Sequence, residues 1–133
     1  MPKSKLIRSR KLKGEQFLDL GDYALSNYGR WYSYRFKRIM RQQKNSSGYY
    51  RVKLYIAGTP KQVFTHIKVV ELFGDKKGEH LRGDRLINLG LSIDHIDGNK
   101  KHNMVSNLEI VSHSENCIRR SRRMKECKKQ KMQ

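Results

Sequence analysis

The chain has 133 residues, and its 30 Lys and Arg against 12 Asp and Glu leave a formal charge of +18. That length supports one domain with a modest core, and the charge points to a nucleic-acid partner gripped by counterion release. No run of about 18 apolar residues marks a membrane span, and the opening MPKSKLIRSRKLKG lacks the apolar stretch of a secretory signal, so no membrane partner is expected and the expected setting is cytoplasmic.

Residues 1–14 concentrate positive charge with few apolar side chains, which predicts a mobile basic arm, extending to residue 16, that orders on nucleic acid. From Phe17 the pattern becomes short strand-like runs broken by turn residues. Tyr23–Ser26 leads into a turn at Asn27-Tyr28-Gly29, and Arg30-Trp31-Tyr32-Ser33-Tyr34 follows. After a break at Asn45-Ser46-Ser47-Gly48, residues 49–56 form the clearest strand of the chain. Tyr50, Val52, Leu54 and Ile56 share an inward face, while Arg51, Lys53 and Tyr55 share the opposite one. Trp31 and the remaining tyrosines read as sheet packing. Ala57-Gly58-Thr59-Pro60 reads as a hairpin turn. The spacing of Val63, Ile67, Val70 and Phe73 predicts a helix over 66–73, with Thr65 as N-cap and Gly74 ending it. His66 at its start reads as a satisfied structural histidine. Residues 75–90, with His80, form a polar connection.

A second unit opens at Ser92-Ile93-Asp94-His95, loops through Asp97-Gly98-Asn99 and returns along Leu108–Val111. Asp97-Gly98-Asn99 misses the register of an EF-hand loop and reads as a turn. Ser112-His113-Ser114-Glu115 has the S-x-x-E form that starts a helix, which puts Asn116 in the first turn, where backbone N–H groups and the helix dipole favour a phosphate. Arg and Lys dominate the helix that follows. Cys117 and Cys127, ten apart, form no C-x-x-C pair and make no zinc ribbon. On one helix they lie about 15 Å apart, beyond disulfide reach, so both are expected as thiols.

His95 precedes Asn107 by 12 positions, and Asn107 precedes Asn116 by 9. A strand–loop–strand–helix unit would bring the Asp94 carboxylate, the His95 imidazole and the Asn116 amide oxygen around one hard cation. Such a cation takes few protein oxygens and leaves the rest of its shell to water and phosphate. A neutral imidazole beside it can accept a proton from water near neutral pH. Adjacent strand residues point to opposite faces, so Asp94 and His95 must sit at a strand end or a bulge.

The series Asp94-His95, Asn107, Asn116 resembles the ββα-metal motif of HNH nucleases, in the H-N-N form of phage and intron homing endonucleases. Tyr23–Arg30, Gly48–Leu54 and Thr65–Phe73 are similar to the module that these enzymes place ahead of the nuclease unit, and the match runs in order over about residues 17–118. The resemblance implies an α+β fold divided into a basic arm (1–16), an antiparallel-sheet DNA-binding module (17–65), an HNH unit (66–118) and a basic helical tail (119–133). It implies that Asp94 and Asn116 ligate Mg²⁺ or Mn²⁺, that His95 is the general base, and that Asn107 ties the loop between the strands. The implied activity is metal-dependent hydrolysis of double-stranded DNA, by nicking or by cutting both strands, leaving a 5′ phosphate. No organic cofactor is called for, a monomer is expected, and for a phage-encoded enzyme the compartment is the host cytoplasm. The candidate DNA contacts are Arg30, Arg35, Lys37, Arg51, Lys53, Arg119, Arg120, Arg122 and Arg123. His102 and His113 are secondary candidates for touching DNA or sharing the base role. The 17 residues after Asn116 are too few for the helix-turn-helix module of larger members, so long-site recognition is not expected from them. The alternative is a non-catalytic DNA- or RNA-binding protein on the same scaffold.

Overall fold

The computed structural model describes residues 11–74 and 89–132, with the backbone alone over 126–132. His80 and the Cys127 side chain lie outside the described residues, as does most of the polar connection.

The first sheet joins β1 (Phe17–Asp19), β2 (Tyr23–Ser26), β3 (Trp31–Ser33) and β4 (Arg38–Ile39) in that order, antiparallel throughout. A second runs β5 (Gln43–Lys44), β6 (Tyr50–Ile56), β7 (Thr59–Phe64). The β6–β7 hairpin closes on two residues, Ala57 (φ 52°) and Gly58 (φ 78°), both in the left-handed region that a type I′ turn requires. Thr59 and Pro60 therefore belong to β7 and not to the turn. Proline is tolerated there because β7 is an edge strand. Helix α1 (Thr65–Phe73) follows, and Gly74 donates its N–H to the Val70 carbonyl at the end. The last unit is β8 (Leu91–His95), a 3-10 turn at Val105–Asn107, β9 (Leu108–Ser112) and helix α2 (His113–Met132). Residues 119–132 lie within α2. No helix among the described residues is long and apolar enough to cross a membrane.

The three parts share one core. Leu25 and Trp31 of the first sheet, Val52 and Leu54 of the second, Val69 and Val70 of α1, and Ile93 and Leu108 of the β8–β9 hairpin form a single buried cluster. The β6 alternation holds at Val52 and Leu54, but Ile56 at the hairpin end is 48% exposed. Thr65 is not a cap: Phe64 occupies that position, and no side chain caps the helix. The buried Thr65 hydroxyl instead accepts from Trp31 Nε1 at 3.0 Å and donates to Gln42 Oε1 at 2.6 Å. Both partners of this buried hydroxyl are satisfied, which avoids the cost of an orphaned polar group. Residues 11–16 are bound to the first sheet rather than mobile. Glu15 is buried and paired with Arg30 at 3.1 Å, and Tyr28 donates its hydroxyl to the Lys13 carbonyl.

Candidate active site

The register of β8 against β9 runs unbroken through Asp94↔Glu109 and His95↔Leu108. The Asp-His pair thus sits at the strand end, not at a bulge. Gly98 N–H closes a turn onto the His95 carbonyl at 2.8 Å immediately afterwards. Helix α2 starts at His113 because Ser112 Oγ accepts the Glu115 N–H at 3.1 Å. Glu115 does not reach back to complete a capping box, and its carboxylate takes Arg119 Nε at 3.2 Å. This start brings Asn116 against β8. Asp94, His95 and Asn116 line one cavity of about 220 Å³, together with Tyr49, Ile93, Lys100 and arginines of α2.

All three residues are buried: Asp94 is 3% exposed, His95 4% and Asn116 9%. His95 Nε2 lies 2.7 Å from Asn103 Oδ1. Burial pushes the His95 pKa below its usual value and outweighs the upward pull of Asn103, Asp94 and Asp97, so the ring is neutral near neutral pH. The Asn116 side chain forms no hydrogen bond among the described residues. Asp94 is held from α2: Arg119 donates to Oδ2 at 3.0 Å, while Arg123 donates to Oδ1 at 3.0 Å and to Oδ2 at 3.2 Å. Burial alone would raise the Asp94 pKa, but these hydrogen bonds hold it below the usual carboxylate range. Arg123 also bonds the His95 and Ile96 carbonyls. A Cβ at Gly98 would come within 3.1 Å of the Arg123 side chain, so a glycine there lets the guanidinium in.

One carboxylate and one unpartnered amide fit Mg²⁺ or Mn²⁺, which fill the rest of their shell with water and phosphate oxygens. Among the described residues no group of three or more His, Cys, Asp and Glu could hold a metal, so the donor set does not fit a zinc cage.

Asn107 closes the loop between β8 and β9. Its Oδ1 accepts the Asp97 N–H at 3.2 Å, and its Nδ2 donates to Asp97 Oδ1 at 3.0 Å and to the His102 carbonyl at 2.8 Å. His102 points outward onto Asp97, with Nδ1 2.6 Å from Oδ2. That contact, followed by the Asn99 N–H, is the main reason the Asp97 pKa falls to about 2. A carboxylate with a depressed folded-state pKa contributes stability above its unfolded pKa, near 3.9, and loses it as pH falls through the folded value. The loop is therefore expected to hold from neutral pH to about 4 and to loosen between about 4 and 2. The Asp97 carboxyl carbon followed by NMR tests this; a midpoint near 4 would contradict it.

His113 pairs with Ser92 Oγ at 3.2 Å and lines a neighbouring cavity rather than this one. His66 is buried and stacked on Tyr49 with ring centroids 4.8 Å apart, and burial is the main cause of its pKa falling to about 3. It is a core histidine but not a satisfied one, since its buried Nδ1 has no hydrogen-bond partner.

The expected DNA contacts divide. Arg119 and Arg123 turn inward onto Asp94, Arg120 lines the cavity and Arg122 stays exposed. Arg30 is engaged by Glu15. Arg35 and Lys37 stand exposed in the turn between β3 and β4, with Arg35 near the Phe36 ring. Lys53 and Tyr55 line a groove with Arg38 and Arg41, but Arg51 is half-buried, its Nε without a partner. Sequence reasoning passed over Lys100, Asn103, Arg38 and Arg41. Lys100 sits 4.5 Å from the centre of the Tyr49 ring and donates to the Ser47 carbonyl. None of these four lies on α2, where the spacing of Asn116, Arg119, Arg120 and Arg123 does put all four on one side of the helix.

Residues 63–117 match the family model for HNH endonucleases. The DNA endonuclease I-HmuI of Bacillus phage SP01 is 33% identical over 92 residues, which are 69% of this chain and 47% of that protein. A solved structure, titled as DNA binding and cleavage by the HNH homing endonuclease I-HmuI, superposes with a TM-score of 0.63 at 29% identity, over 81% of this chain and 59% of that one. The chain spans about half the length of the curated relative that it matches.

Proposed function

We propose that the chain is a divalent-metal-dependent endonuclease hydrolysing phosphodiester bonds in double-stranded DNA, a reading supported by the match of residues 63–117 to the HNH endonuclease family model. The observation that carries this reading is the shared cavity of Asp94, His95 and Asn116, which puts a neutral imidazole beside two hard oxygen donors. In the reaction His95 takes the proton of the attacking water. The water oxygen bonds to phosphorus as the P–O3′ bond breaks, and the leaving 3′ oxygen takes a proton from solvent, giving a 3′ hydroxyl and a 5′ phosphate. Asp94 and Asn116 would hold Mg²⁺ or Mn²⁺, whose chemistry at such a site is to stabilise charge on the phosphoryl and leaving oxygens. Exposed cations outside the cavity, Lys53, Arg38, Arg41 and Arg122, supply a sequence-independent grip on the phosphate backbone.

The ion pairs from Arg119 and Arg123 to Asp94 favour a second reading, a non-catalytic DNA-binding protein in which guanidiniums neutralise the carboxylate permanently. Supercoiled plasmid separates the two. The nuclease reading expects nicked or linear product that requires Mg²⁺ or Mn²⁺ and disappears with EDTA. Plasmid that is bound and retarded but stays supercoiled in either metal would leave the binder.

A further inference from the structure

Among the described residues the His95 ring hydrogen-bonds to one side chain. Asn103 is 3% exposed, its Oδ1 lies 2.7 Å from His95 Nε2, and this bond is fully buried. Two further rings lie beside it, His66 at 5.5 Å and Tyr49 at 6.2 Å between centroids, and neither hydrogen-bonds to it. An amide oxygen only accepts, so with Asn103 Oδ1 turned to the ring, Nε2 carries the proton and Nδ1 keeps its lone pair.

Asn103 is in turn seated by the N-terminal sheets. The turn after β2 presses Gly29 (φ +78°) against it so closely that a Cβ at Gly29 would lie 2.8 Å from both the Asn103 Cβ and its carbonyl oxygen. The neighbouring Val105 N–H donates to the Asn27 carbonyl at 2.9 Å, and the Gly29 carbonyl is fixed by Gln42 Nε2 at 2.7 Å. Gln42 also receives the Thr65 hydroxyl. The segment that carries Asn103 is thus clamped from outside the β8–β9 unit, and the amide has little freedom to turn away from the imidazole.

We propose that Asn103, clamped by the Asn27–Gly29 turn, is the positioning residue that fixes His95 in its Nε2-protonated tautomer and so presents Nδ1 to the attacking water. The assignment of a role in catalysis rests on the nuclease reading above, but the tautomer itself does not. A base held in the wrong tautomer presents a proton where it should accept one, which is why the partner of a catalytic histidine matters as much as the ring's placement.

The test uses the full chain. The ring nitrogens of His95 are read by long-range ¹H–¹⁵N correlation in protein free of metal and DNA, and cleavage is read under single turnover with Mg²⁺. Wild type is expected to show a protonated Nε2, Asn103→Asp to keep it because the carboxylate also accepts, and Asn103→Ala to show a mixture of both tautomers. Cleavage by Asn103→Ala at saturating DNA is expected to fall about 10- to 100-fold, the usual effect of losing an outer-shell partner, with half-saturating DNA unchanged, and Asn103→Asp to recover most of the loss. If Asn103→Ala does not fold, Asn103→Ser takes its place with the same two readings, since its hydroxyl is too short to reach the ring. A wild-type ring protonated at Nδ1, or an Nε2 form retained in full without the amide, would overturn the proposal. Absence of plasmid cleavage by wild type would instead strike the nuclease reading and leave the spectrum to decide the tautomer.

Discussion

His95→Ala is expected to lose about 10²- to 10⁴-fold in cleavage rate, the range of a general base, while binding DNA nearly as tightly as the unmodified chain. Rate and affinity separate because the imidazole is 4% exposed and makes its hydrogen bond to Asn103, not to the surface that faces a duplex. Burial keeps the ring neutral, so its removal takes no charge from the DNA-binding face. The truncation has a structural cost as well: it leaves the buried Asn103 oxygen without its donor, a loss of about 1–3 kcal/mol. His95→Gln can return an amide donor to that oxygen without restoring a base, so it separates stability from chemistry. The measurement is single-turnover nicking of supercoiled plasmid beside a filter-binding isotherm and a thermal melt. Cleavage at the normal rate by a folded His95→Ala protein would remove it as the base. His113, whose cavity adjoins the site, would then be tested before His102, which is turned outward onto Asp97.

What the chain reveals before folding is whatever lies close in sequence. The β6 alternation marks Val52 and Leu54, the spacing after Val63 marks α1, and Ser112 marks the start of α2, because each depends on a backbone period or on a cap three residues away. The order Asp94-His95, Asn107, Asn116 is legible for the same reason: one hairpin and the first turn of one helix bring these residues together. Illegible features are those settled by distant partners. Thr65 looks like an N-cap from its neighbours, yet the Trp31 indole, 34 positions away, claims its hydroxyl. Arg119 and Arg123 look like phosphate contacts on a charged helix, yet a buried carboxylate 25 and 29 positions back draws them in. Asn103 carries no local mark at all, since what makes it a partner of His95 is the close approach of Gly29 from the first sheet. The two-residue strands β4 and β5 are equally silent, being too short to show a period.

Asp94→Ala is expected to abolish detectable cleavage at millimolar Mg²⁺ and to cost more than Asn116→Ala, because Asp94 brings the only formal negative charge of the donor pair. In the folded chain that charge is shared among three hydrogen bonds from two guanidiniums, each about one-third exposed or less. A cation approaching Asp94 competes with them, so the Mg²⁺ concentration for half-maximal nicking is set by the arginines as well as by the ligands. Removing the carboxylate frees both arginines without stranding them. Arg119 keeps Glu109 and Glu115, and Arg123 keeps the carbonyls of His95 and Ile96. The helix therefore stays docked, with an expected stability loss of about 1–2 kcal/mol, the low end for charged hydrogen bonds that are partly solvated. DNA affinity is expected to hold or rise, since two cations previously spent on Asp94 become available to phosphate. Arg123→Gln should act in the opposite sense on the metal, lowering the half-maximal Mg²⁺ concentration by weakening its competitor. Mg²⁺ titrations of nicking rate for the three proteins, each with a DNA-binding isotherm at matched salt, give the comparison. A wild-type Mg²⁺ curve in Asp94→Ala would take this carboxylate out of the metal site, and a raised Mg²⁺ requirement in Arg123→Gln would mean that the guanidinium positions Asp94 for the ion instead of competing for it.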